Sequence, residues 1–193
     1  MSQFQRLKRQ FFGSGTIFCS GAIAVLALTA CSTSPLSQAQ KPDAEQGAQL
    51  IPIAIDAAKI TTGQTIYVPV YSYIYHYNSQ NHVVNLSATL SIRNTDLTNP
   101  LILKAVRYYD TRGQLVRAYI DKPAALKPLA ATDFFIETDD ISGGLGASFI
   151  VEWVAEKAVT EPVIEAVMIS TVSAQGISFV SSGKVIKRYQ KMP

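Results

Sequence analysis

The tyrosine and histidine side chains are concentrated in one stretch, IYVPVYSYIYHYNSQNH at residues 66–82. It holds both histidines and five of the nine tyrosines: His76, His82, Tyr67, Tyr71, Tyr73, Tyr75 and Tyr77. Tyrosine joins an apolar ring to a polar hydroxyl, so an exposed row could stack on sugar rings or grip a peptide. The same row could instead be one wall of a packed sheet, because tyrosine is a favoured strand residue. That propensity favours the structural interpretation.

Metal binding is the second chemistry that this stretch suggests. His76 and His82 are six residues apart, but a site would need a third strong ligand, and the spacing matches no familiar pattern. Asp139 and Asp140 stand beside a Gly-Gly pair and could offer oxygen ligands to calcium. Turns also require Asp and Gly for backbone reasons. We therefore treat all four residues as weak metal candidates, and we predict no cofactor.

Known catalytic motifs are missing from the sequence. It contains no G-x-S-x-G, GKV at residues 183–185 lacks the glycine spacing of a phosphate-binding loop, and GGLG at residues 143–146 does not lead from a strand into a helix. The first functional hypothesis is therefore a non-enzymatic binding or scaffolding module. The alternative is a metal-dependent or hydrolytic enzyme that acts on envelope polymers, using His76 with nearby carboxylates.

The N-terminus resembles a bacterial lipoprotein signal. Residues 1–30 contain a basic segment followed by an apolar stretch, which is strongest over residues 17–28. The stretch ends in LTAC at residues 28–31, which resembles a lipidation signal. In such a signal the cysteine, here Cys31, is lipidated and becomes the new N-terminus. We expect residues 1–30 to be removed and the protein to be anchored in the cell envelope, outside the cytoplasm. Ser32 mildly favours the outer membrane.

Cleavage would change the charge balance. The chain has 17 basic and 14 acidic residues, and removal of the three basic residues in the signal leaves 14 of each. This neutral balance argues against a nucleic-acid partner. The membrane and an envelope protein, peptide or glycan are the expected partners. The remaining basic cluster is interpreted as a solvated tail: Lys184, Lys187, Arg188 and Lys191.

Hydrophobic periodicity predicts the elements that must position these side chains. Residues 31–50 form a polar tether with no apolar period. Over residues 51–193, seven to nine short strands are separated by turns, which predicts one all-β domain, an antiparallel immunoglobulin-like sandwich. LIPIAI, VNLSATLSIR, ASFIVEWVA and PVIEAVMISTV are interpreted as strands, and residues 110–113 should close a hairpin.

The tyrosine stretch is predicted to be one strand over residues 66–77. The five tyrosines then share one face, and the other face carries Ile66, Val68, Val70 and Ile74. Pro69 interrupts hydrogen bonding and indicates an edge or a bend. Whether the tyrosine face is exposed or covered stays open at this point.

Several sequence blocks together resemble an uncharacterised bacterial family of exported proteins, the domain of unknown function 3124. The blocks are GQTIYVPVYSYIYH, LSATLSIRNTD, YYDTRGQLVR, GGLGASFIVEW and VIEAVMISTVSAQGISFVSSGK, covering residues 63–184. In that family the position of Tyr73 is more often a histidine, which places any metal or acid-base role here in doubt. The resemblance implies a shared fold and brings no activity, cofactor or catalytic residue.

Overall fold

A computed structural model describes residues 50–171 and 176–190. Throughout these ranges the regular secondary structure is strand, so the all-β prediction is confirmed. Residues 1–49 lie outside them, and with them the predicted signal, Cys31 and most of the tether. The strands are β1 (Ile51–Pro52), β2 (Thr62–Val70), β3 (Tyr73–His76), β4 (Ser79–Asn85), β5 (Ser87–Arg93), β6 (Leu101–Tyr109), β7 (Leu115–Ala118), β8 (Ala124–Leu126), β9 (Ala131–Ile136), β10 (Ala147–Ala155), β11 (Val163–Ser170), β12 (Ile177–Ser182) and β13 (Lys184–Gln190).

The strands form two main sheets and one separate hairpin, and their pairs are antiparallel. The larger sheet has the order β1-β8-β6-β10-β2-β13, with β7 paired to β6. The smaller sheet has the order β12-β11-β5-β9, and β3 pairs with β4 alone. The described strands outnumber the predicted seven to nine because several expected strands are interrupted. None of the described residues forms a helix with the length and apolar character needed to cross a membrane.

Both main sheets contribute to one hydrophobic core. On β10, Phe149, Val151 and Trp153 are buried, as the alternating pattern predicts. They cluster with apolar residues of β5 and β11, which belong to the smaller sheet. Burying these alternate positions supplies the main favourable free energy of folding, at roughly 25 cal/mol per Å².

Some of the individual predicted elements are confirmed and others are wrong. The hairpin around residues 110–113 is confirmed, with Gly113 at a φ of 76°. PVIEAVMISTV forms β11, as expected. Only Ile51 and Pro52 of LIPIAI form a strand. The Ile53 N–H still donates to the Pro123 carbonyl at 2.9 Å, but Pro123 has no N–H to donate in return. The C-terminal basic residues that are described lie on β13 and not in a tail, so that interpretation is wrong; Lys191 is outside the described ranges.

The register of the larger sheet fixes where the described chain enters the fold. Ile51 pairs with Ala125, Ala125 with Ile102, Ile102 with Val154, and Val154 with Gly63. Ile51 is therefore level with the start of β2. Val70, where β2 leads toward the hairpin, is at the opposite end of the sheet.

Candidate functional site

The stretch that carries the tyrosines does not form one strand. β2 ends at Val70 and β3 begins at Tyr73. Between them Ser72 is buried; its N–H donates to the Gly144 carbonyl at 3.0 Å, and its carbonyl accepts from the Leu86 N–H at 2.9 Å. These bonds draw the chain out of the larger sheet. The prediction of a continuous strand over residues 66–77 is therefore wrong.

The first two tyrosines belong to the body of the fold. Tyr67 stands on the outer face of β2, opposite Ile150 on one side and Lys184 on the other. Tyr71 packs against the core, and its ring meets Phe179 at 5.7 Å in an edge-on arrangement. Both side chains are half-buried. These two tyrosines fit the structural interpretation.

The other three tyrosines lie on the β3–β4 hairpin. Ile74 packs against the core, while the rings of Tyr73 and Tyr75 are neighbours at 6.1 Å. Tyr75 is 43% exposed, and Val83, its partner across the hairpin, is 45% exposed. The hairpin thus presents apolar surface to solvent on the side away from the core.

The end of this hairpin gathers the rings of His76, Tyr77 and His82, and Tyr75 precedes them in the chain. We call these four residues the aromatic tip. The ring centroids of His76 and Tyr77 are 4.1 Å apart, and those of Tyr77 and His82 are 5.9 Å apart. Tyr77 is 82% exposed and has a φ of 55°. A non-glycine residue in this left-handed region costs about 1–2 kcal/mol. The fold therefore holds an exposed tyrosine at a turn position where glycine would be less strained.

Buried polar groups support the root of the hairpin. The Ser72 and Tyr108 hydroxyl oxygens are 2.9 Å apart, and burial raises the pKa of Tyr108. A side chain at Gly143 would place its Cβ 1.8 Å from the Tyr108 hydroxyl, so glycine is required there. The Gly143 carbonyl accepts from the Thr111 N–H at 2.9 Å. The GGLG segment is thus a packing element beneath the hairpin.

The predicted metal candidates fall in two places. His76 and His82 are brought together, with ring centroids 6.1 Å apart. Within residues 50–171 and 176–190, no group of three His, Cys, Asp or Glu side chains gathers. Asp139 is exposed in a turn, and the Asp140 carboxylate accepts from Arg117 at 3.1 Å and from Ser142. The Asp140 carboxylate is therefore already engaged in an ion pair and a turn.

A groove of about 320 Å³ on the outer face of the larger sheet was missed by sequence reasoning. Gly63, Thr65 and Val154 line it, together with Lys104 and Lys187. The period-two pattern could place each of these residues on a strand. It could not show that β6, β10, β2 and β13 lie side by side, because that order is set by long-range pairing.

Comparisons with known proteins give a family and one weak structural likeness. A family model described as a protein of unknown function (DUF3124) matches residues 63–186. No curated protein matches the chain. A crystal structure of Thermotoga maritima 1070 is similar at 11% sequence identity with a TM-score of 0.40, and the match covers 63% of this chain and 92% of that one.

Proposed function

Because the chain belongs to the DUF3124 family, for which no function is known, we propose a function from the site itself. The protein is a non-enzymatic, lipid-anchored binding module of the cell envelope. Its aromatic tip holds an uncharged sugar chain. Of the two interpretations of the tyrosines, this proposal adopts the exposed binding surface and restricts it to the tyrosines of the hairpin.

The observation that carries the proposal is the composition of the exposed hairpin. Residues 71–92 contain no Asp, Glu, Lys or Arg. Beside the rings of Tyr75 and Tyr77, the amide side chains of Asn78, Gln80 and Asn81 are exposed. Amides offer both donors and acceptors, and an aromatic ring offers a flat apolar face. This combination is complementary to a neutral sugar, which has hydroxyl groups and apolar ring faces but no charge.

Lipid anchoring is the second part of the proposal and is supported by the sequence alone. LTAC at residues 28–31 has the order of a lipidation signal, and three acyl chains exceed the two membrane signals needed for stable anchoring. Ser32 stands where an Asp would favour retention at the inner membrane, so in a bacterium with two membranes the outer membrane is mildly favoured. A Cys31→Ser variant should keep its signal or be released from membranes. Normal membrane partition with an unchanged mass would contradict the anchor.

We also propose that the two sheets form an immunoglobulin-like sandwich. Support comes from four strands: β5 and β9 pair in the smaller sheet, while β6 and β10 pair in the larger one. This alternation of consecutive strands between two sheets is the arrangement found at the centre of such sandwiches. The register also places the root of the hairpin, at Val70, at the end of the larger sheet opposite Ile51.

Titration of the full chain with a soluble N-acetylglucosamine tetramer tests the sugar-binding proposal. Tyr77→Gly keeps the turn conformation accessible and removes the ring, so affinity should fall about tenfold or more, as for loss of an aromatic anchor. Tyr189→Ser removes an exposed ring on β13 and is the matched control, with unchanged affinity expected. Equal binding by both variants and the wild type, or no binding at all, would reject this ligand class.

A further inference from the structure

The groove on the outer face of the larger sheet has an apolar floor and a charged margin. Its floor includes Gly63 and Val154, and Ile60 adds an apolar wall. A Cβ at Gly63 would come within 2.6 Å of the Trp153 carbonyl oxygen and 2.8 Å of Val154 Cγ1. Glycine therefore lets β2 approach β10 closely and leaves the floor at the level of the backbone.

Basic side chains outnumber acidic ones around this groove. Lys104 and Lys187 line it with a single carboxylate, that of Glu152. Glu152 is already paired, with Arg107 at 2.5 Å and with Lys104 at 3.9 Å. Arg107 and Lys104 thus share one carboxylate, and the strand register places a third cation, Lys187, across Thr65 from Glu152. The margin is therefore complementary to an anion.

From these features we infer that the groove binds a small molecule with one apolar body and one anionic group, of the fatty-carboxylate class. The apolar body lies over Gly63, Val154 and Ile60, and the carboxylate lies between Lys104 and Lys187. Ligand sites in proteins range over roughly 300–1,000 Å³. A groove of about 320 Å³ accepts a single chain or ring, and a two-chain lipid would exceed it. This site is separate from the aromatic tip.

Trp153 provides an internal reporter for the site. It is the sole tryptophan of the chain and it lines the groove. The side chain is 2% exposed, and among the described residues its indole N–H lacks a hydrogen-bond partner. A bromine atom quenches indole fluorescence only near contact. Quenching by a brominated ligand therefore reports a ligand bound close to Trp153, and variants of the groove residues assign the signal to this groove.

The experiment titrates the full chain, held in phosphatidylcholine nanodiscs, with 11-bromoundecanoate and with the neutral 11-bromoundecanol. We expect saturable quenching by the acid at about tenfold lower concentration than by the alcohol, as for loss of one charge-assisted contact. Phosphatidylglycerol with a brominated chain, placed in the discs, tests whether an anionic lipid with two acyl chains occupies the groove instead. Quenching by this lipid at a concentration comparable to the acid's would contradict the single-chain assignment.

Variants connect the signal to the groove. Lys104→Ala and Lys187→Ala should each raise the half-saturating concentration of the acid about tenfold. Thr65→Phe fills the groove from the outer face of β2 and should abolish quenching. Lys157→Ala alters an exposed lysine outside the groove and should have no effect. Equal quenching by acid and alcohol, or equal titrations for the wild type and Lys187→Ala with unchanged circular dichroism, would overturn the assignment.

Discussion

The hydroxyl oxygens of Tyr108 and Ser72 lie 2.9 Å apart, and both side chains are buried. Tyr108 belongs to β6 at the centre of the larger sheet, whereas Ser72 is the residue at which the chain departs into the aromatic hairpin. One buried hydrogen bond therefore couples the rigid body of the fold to the root of its most exposed element. The root is fixed even though the hairpin pairs with neither main sheet.

Breaking this bond should destabilise the protein. Tyr108→Phe leaves the Ser72 hydroxyl buried without its partner, and we expect a loss of about 1–3 kcal/mol in the free energy of unfolding. Ser72→Ala should cost a similar amount. The double variant should cost less than the sum of the two, because neither polar group remains unpaired. Urea denaturation measures all three, and strict additivity would show that the two hydroxyls do not interact.

Truncation of a tyrosine should change the free energy of unfolding by an amount that depends on its position. Tyr71→Ala removes a ring that packs on the core and on Phe179, and should cost about 2–4 kcal/mol. Tyr75→Ala removes a side chain that is 43% exposed and should cost about 1 kcal/mol or less. Denaturant melts compare the two directly. A loss of several kcal/mol for Tyr75 would mean that the hairpin face is covered and cannot bind a ligand.

The Asp96 carboxylate should make stability depend on pH in acid. Backbone N–H groups of Thr98, Asn99 and Thr160 donate to it, which lowers its pKa from 3.8 to about 2. A lowered pKa means that the stabilisation is complete above the unfolded value and is lost as the pH falls toward 2. Asp96→Asn should therefore melt below the wild type at neutral pH, and the difference should narrow below about pH 4.

Thermal melts from pH 7 down to pH 2 follow this difference. Asp133→Asn alters an exposed carboxylate on β9 and serves as the control, with a melting temperature close to that of the wild type at each pH. A gap between Asp96→Asn and the wild type that stays constant across the range would show that the carboxylate charge contributes nothing.

Gly183 should not tolerate a side chain. It connects β12 of the smaller sheet to β13 of the larger one, and a Cβ there would be 2.6 Å from Ile66 Cγ2 and 2.8 Å from the Ile164 carbonyl oxygen. Gly183→Ala should cost about 1–3 kcal/mol, as overpacking does. In Gly176→Ala the nearest atom of the described residues would be the Ser170 carbonyl oxygen at 3.7 Å, so this control should be close to neutral in urea denaturation.

Local sequence pattern predicted the parts of the fold that depend on neighbours along the chain. The alternation of Phe149, Val151 and Trp153 places one face of β10 in the core, and Asp110 with Gly113 closes its hairpin through local bonds. These features follow from a period of two and from turn chemistry. The sequence therefore predicted the all-β class and most strands.

Features that depend on distant partners could not be predicted in the same way. The break at Ser72 arises from bonds to Gly144 and Leu86, and a strand period contains no information about them. The separation of Tyr71 from the exposed tyrosines follows from that break. The groove needs Lys104 and Lys187 on one face, and these residues come from strands that are far apart in the chain. The order in which strands lie side by side is thus what the sequence pattern does not contain.

The level at which Ile51 enters the larger sheet has a mechanical consequence. Between Ile51 and Ser72 the backbone runs through β1, residues 53–61 and β2, all on the larger sheet or beside it. Tension between the proposed ligand at the aromatic tip and the proposed anchor, which precedes residue 50 in the chain, would therefore be carried lengthwise along β2. The interface between the two sheets does not lie on this path and would carry little of the force. Pulling should peel the two-residue β1 first and leave the shared core intact.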